Sequence, residues 1–199
     1  MTDYLMQGPQ FAKQYVSDYL KADIPGRMLR YRNGWDLDDE TLPDPLLYLS
    51  HEPIALDHWP TLITVSISAN RFDQSGFTYT GDAVYRVTYS MRTYVWTRSD
   101  SSEEVTLMRD RLTTVVRSAL LDVPSLQTLN DANGDYEAYI DSSSITEEFS
   151  DLTMLKGDRV LAGAYIGYDL VINEIVYRQQ IAMVDTYEIE MQDMDPSEG

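Results

Sequence analysis

The chain has 199 residues, 43% of them hydrophobic and none of them cysteine, which is enough for one domain with a real core and leaves no place for disulfide staples or thiolate chemistry. Fifteen basic against 33 acidic side chains give a net charge of −18, which repels phosphate and anionic lipid and argues against tight binding of duplex DNA. The opening MTDYLMQGPQ is acidic and lacks the apolar core of an export signal, and the stretch VLAGAYIGY is shorter than the ~20 residues that cross a bilayer, so a soluble chain with no membrane partner is expected.

In chain order, Phe11, Tyr15, Val16, Tyr19 and Leu20 recur at helical spacing and predict an amphipathic helix from near Pro9 that ends before Ile24-Pro25-Gly26. The stretch NGWDLDDETLPDP, residues 33–45, reads as an exposed acidic loop that Trp35 and Leu37 could pin. TLITVSISA, after Pro60, has the composition of a strand, and DQSGFTYTGD that of a turn region. From residue 83 to 98 the alternation is sustained: Ala83, Tyr85, Val87, Tyr89, Met91 and Val95 share one face, and Arg86, Thr88, Ser90, Arg92 and Arg98 the other. That second face is either plainly solvated, which spacing alone favours, or turned toward acidic groups of a neighbouring subunit, which the net charge keeps open.

Ser101 and Glu104 form a capping box, after which Val105, Met108, Leu112, Val115, Val116 and Ala119 trace a helical stripe as far as Asp122-Val123-Pro124. NDANGDYEAY alternates Asp131, Asn133 and Asp135 like a calcium loop. Its Gly134 and Ser142 occupy the wrong places for one, so an Asn-Gly turn is the reading. Segments near 136–149 and 159–178, joined by DLTMLKGD, predict an antiparallel hairpin, and residues 179–199 an arm with a disordered acidic tip.

Chemistry is scarce. His51 and His58 share the segment LSHEPIALDH with Glu52 and Asp57, but that loop has no helical or strand spacing to converge them on a metal. GxSxG, HExxH, Walker and GxGxxG patterns are absent, no cofactor is expected, and in so acidic a chain no particular carboxylate pair stands out.

The N-terminal helix, the aromatic-proline step into a strand (HWPTLITVSI), the long strand (VYRVTYSMRTYVW) and the polar turn with its helix (SSEEVTLMRDRLTTVVRSAL) together resemble the tail terminator proteins of long-tailed, siphovirus-type bacteriophages over residues 8–178. The resemblance implies an α+β fold, an antiparallel β-sheet flanked by helices. The acidic loop 33–45 and the long C-terminal arm exceed the compact version of that fold, so the chain is expected to comprise one domain at 1–178, with extended loops, and the arm 179–199. It further implies a homohexameric ring, a non-enzymatic virion protein of the neck, assembled in the host cytoplasm. Such a ring caps the tail tube, meets the head-tail connector or stopper protein, and lets DNA pass through its lumen without specific binding. Arg86, Arg92 and Arg98, with Arg109 and Arg111 of the following helix, are then the candidate subunit-interface residues. The surplus acids either line the channel or are scattered outside for solubility. Another neck or tail-tube ring protein is the alternative within this class. Outside it stand a cytosolic metal-dependent enzyme using His51 and His58, and a small-ligand or peptide-binding module using the Tyr-rich sheet.

Overall fold

The alternation at residues 83–98 becomes the spine of the molecule. In the computed structural model, which describes residues 7–53, 56–79, 81–122, 125–127, 137–149, 154–156 and 159–177, the elements run α1 (Pro9–Trp35), β1 (Leu47–Leu49), β2 (Thr61–Phe77), β3 (Ala83–Ser99), α2 (Ser102–Asp122), β4 (Ser125–Gln127), β5 (Glu137–Phe149), β6 (Met154–Lys156) and β7 (Arg159–Val176). They form one sheet of order β1-β2-β3-β7-β5-β4, with β6 paired to the start of β7. The expected α+β architecture is present. The sheet is not purely antiparallel, because β1 pairs with β2 in parallel at Leu47 to Thr61; the remaining pairs are antiparallel.

The odd-numbered face of β3 is the core face. Val87, Tyr89, Met91 and Val95 are buried there with Ile166, Tyr168, Leu170 and Ile172 of β7. Both helices close over this face, α2 through Leu112, Val115, Val116 and Ala119, and α1 through Ala12, Val16, Leu20, Ile24 and Met28. The Tyr19 hydroxyl donates to the Ala119 carbonyl at 2.8 Å and ties the helices together. A buried hydroxyl chain, Thr64 to Thr93 at 3.2 Å and Thr93 to Tyr168 at 3.0 Å, satisfies the polar atoms inside the sheet.

Three expectations are corrected. Helix α1 does not end before Pro25; it runs on to Trp35, because the buried series at intervals of four continues through Ile24, Met28 and Arg32. Burial of that turn outweighs the ~3 kcal/mol an interior proline costs. Residues 33–35 therefore belong to the helix, and the rest of the acidic loop folds back on it: Leu42 is fully buried, and Arg32 donates to the Leu42 carbonyl at 2.8 Å while pairing with Asp39 and Asp44 at 3.0 and 2.9 Å. Strand β2 extends through the first half of the expected turn region to Phe77, because β3 supplies partners along its whole length, across register shifts at 66/68, 69/71 and 74/76. The start of α2 matches the expected box in one half: the Glu104 N–H donates to the Ser101 hydroxyl at 3.4 Å. The Glu104 carboxylate instead accepts from the Ser99 hydroxyl at 2.9 Å, and that hydroxyl accepts the Ser101 N–H at 3.4 Å. The loop 130–136, where the Asn-Gly turn is expected, and the arm 179–199 lie outside the described residues.

Candidate assembly surface

With both helices on one side, no described element lies over the other face of β3 and β7. Strand register fixes what that face carries. Along β3 the even positions are Arg86, Thr88, Ser90, Arg92, Tyr94, Trp96 and Arg98, and opposite them on β7 stand Asn173, Val171, Asp169, Gly167, Tyr165, Gly163 and Leu161. Ile63 and Val65 of β2 join the face opposite Tyr94 and Arg92, and Thr146 and Glu148 of β5 join it opposite Gly167 and Tyr165.

The middle of this face is an aromatic platform with a cation on it. Tyr94 and Tyr165 lie 5.5 Å apart, and the Arg92 guanidinium sits 4.4 Å from the centre of the Tyr165 ring. A hydrogen bond to Tyr94 holds Arg92 above its ordinary pKa, and donation to the Glu148 carboxylate raises the Tyr165 hydroxyl. Glycine makes this packing possible. A Cβ on Gly163 would come within 2.8 Å of the Trp96 ring, and one on Gly167 within 2.8 Å of the Thr146 hydroxyl. Sequence reasoning missed Tyr165 and Glu148 as partners of Arg92. The available signal is Gly163-Ala-Tyr-Ile-Gly167: two glycines flank a tyrosine on one strand face, leaving room for large neighbours across the ladder.

The five arginines do not form one site. Arg86 is exposed near the hairpin end of β3 and has no ion pair among the described residues. Arg92 is half-buried in its own chain's platform, and Arg98 is half-buried with its Nε enclosed and without a hydrogen-bond partner among the described residues. Arg109 is an internal residue and not a surface one: it is 7% exposed, holds Asp110 at 2.7 Å, and stacks 5.2 Å from the Phe149 ring. Arg111 reaches the Thr41 carbonyl at 3.4 Å and fastens the acidic loop to α2. The sequence places Arg109 and Arg111 together on a helix, but only the tertiary packing shows that both are turned toward their own chain.

The distal half of β2 stays paired with β3, which is itself paired with β7 as far as Ala83. Exposed apolar side chains here include Ile67, Phe72 and Phe77 of β2 and Tyr79 in the turn after it. His51 and His58 are exposed in the segment between β1 and β2, and no group of three or more His, Asp or Glu able to hold a metal exists among the described residues. No helix among the described residues is long and apolar enough to cross a membrane. No family model matches the chain, and no curated protein matches it.

Proposed function

We propose that this chain is a structural protein of a bacteriophage virion, a tail terminator that assembles as a ring of six, caps the tail tube and meets the head-tail connector. The observation that carries the reading is the lopsided sheet: two helices seal one face, while the other presents an aromatic and arginine row that no described element covers. An aromatic and arginine surface of this kind has the composition of a protein interface. A ring protein needs such a face, since each subunit meets a copy of itself through two different patches. The sequence resemblance supplies the phage assignment.

Arg86 provides the cleanest test, because it is exposed and has no ion pair among the described residues. It stands opposite Asp73 of β2, so a neutral replacement is used in place of an acid. Arg86→Gln should leave the melting temperature nearly unchanged and weaken association severalfold by sedimentation velocity, with loss of ring images in negative stain. Arg92→Glu is less clean, as it places a carboxylate beside Glu148. An Arg86→Gln protein that assembles like the parent would remove this face from the interface.

A further inference from the structure

The outer edge of β2 carries its own complement. Strand β1 covers only Thr61, Leu62 and Ile63, and from residue 64 to 76 the outer backbone edge of β2 has no strand partner among the described residues. Residues 67–75 of that stretch are all exposed. Alternate residues along such an edge turn a backbone N–H and C=O outward, where another strand can pair with them.

Between the register shifts at 69/71 and 74/76, positions 71–74 pair with β3 without interruption. Arg71 and Asp73 lie on the open face of the sheet, opposite Thr88 and Arg86, while Phe72 lies on the helix side, opposite Val87. The Arg71 and Asp73 side chains are 72% and 63% exposed, and the contact between them is long, at 3.8 Å. Phe72 is 61% exposed.

A second copy of this stretch, laid antiparallel about Phe72, sets Phe72 against Phe72, Arg71 against Asp73 and Asp73 against Arg71. Directly opposed residues of neighbouring strands stand about 5 Å apart at Cβ, closer than the ~7 Å between alternate residues of one strand. Each loose contact within a chain is thereby exchanged for a closer one between chains. Arg86 extends the pattern: across the joined sheets the open face reads Arg86, Asp73, Arg71, Thr88, so that the charges alternate in sign. An edge built to refuse a copy of itself would set like charge against like.

We propose that β2 is a self-pairing edge, through which two copies of the chain join by antiparallel β2 strands centred on Phe72, with two Arg71–Asp73 pairs in the contact. The contact depends neither on the phage reading nor on the face around Arg92. Being isologous, it joins two chains, or two rings, and does not by itself close a ring.

Reversing the charges tests it. Arg71→Asp and Asp73→Arg each set like charge against like at both pairs, and each alone should weaken dimerisation about tenfold by sedimentation velocity. An equimolar mixture of the two variants restores both pairs between unlike chains and should dimerise like the parent. Net charge alone predicts otherwise, since Asp73→Arg moves the chain from −18 to −18 + 2 = −16 and would strengthen association. An Asp73→Arg protein that associates as well as the parent, or a mixture no stronger than its components, would overturn the proposal. So would outward-facing amides of 71–74 whose protection from hydrogen exchange is unchanged on dilution, because the edge would then be covered within the chain. Should a charge variant fail to fold, a trap supplies the comparison. The chain has no cysteine, so Phe72→Cys carries a single thiol and should oxidise to a covalent dimer, whereas Ser75→Cys, which this register sets opposite Ala69 and not opposite itself, should not. Cross-linking no faster at 72 than at 75 would overturn the proposal.

Discussion

Two glycines four residues apart on one strand, two repeats of the pleat, separate rigid from yielding neighbours. Gly163 faces the Trp96 ring and Gly167 the Thr146 hydroxyl, each 2.8 Å from an added Cβ. A hydroxyl can rotate away, whereas the indole is held across a strand ladder. Gly163→Ala should therefore cost roughly 1–3 kcal/mol in urea denaturation, and Gly167→Ala clearly less; equal costs would show that the indole is free to move. Arg27 illustrates a different residue-level effect. It is buried on α1, pairs with Asp23, and reaches Asp122 at the end of α2 at 2.6 Å. Its hydrogen bond, and next its charge, hold the Asp122 carboxyl below the usual range. A carboxyl depressed in the folded state stabilises above its unfolded pKa of ~3.9, and that contribution is lost as pH falls through the folded value. Arg27→Met should therefore melt below the parent at pH 6, with the gap narrowing below about pH 4. A pH-independent gap would assign the effect of Arg27 to packing alone.

At the scale of elements, α1 shows where local signals and tertiary packing part. Ile24-Pro25-Gly26 reads as a stop because both Pro and Gly disfavour a helix interior. The chain continues because Ile24, Met28 and Arg32 extend the buried series begun by Ala12, Val16 and Leu20. An added Cβ at Gly26 meets nothing within 4 Å. Gly26→Ala should accordingly stabilise by about 0.5–1 kcal/mol and raise the melting temperature; a loss would mean that this turn needs glycine's freedom. The same contrast runs through the sheet. Strand β3 was legible to within a residue because one face is buried along its length and forces period-two alternation. The distal half of β2 was not, since 68–77 is exposed on both sides and its sequence carries turn-forming residues without a buried face to mark register. The candidate surface was half legible: alternation put Arg86, Arg92 and Arg98 on one face, but Tyr165 and Glu148 come from strands more than 50 residues away in sequence, and pairing order decides that meeting.

At the scale of the whole molecule, charge and proposed assembly pull against each other. The chain carries −18, and among the described residues the basic side chains of Arg27, Arg32 and Arg109 are buried within it. They are committed to acids of their own chain, which leaves the outer basic groups few and the acidic ones many. Copies brought into a ring repel one another over a range set by salt, about 30 Å at 0.01 M and about 8 Å at 0.15 M. A contact such as Arg86 with a neighbour's carboxylate acts at a few ångströms, where screening is weaker than for the separated charges of the two chains. Raising salt from 10 to 150 mM should therefore strengthen association, because it removes the long-range repulsion before it weakens the close pairs. Sedimentation velocity at constant protein concentration across that range reads this directly, with the weight-average mass expected to rise. A mass that falls steadily with salt would mean that interfacial ion pairs outweigh the net repulsion, and that the surplus acids lie too far from the subunit boundary for one copy to feel those of the next.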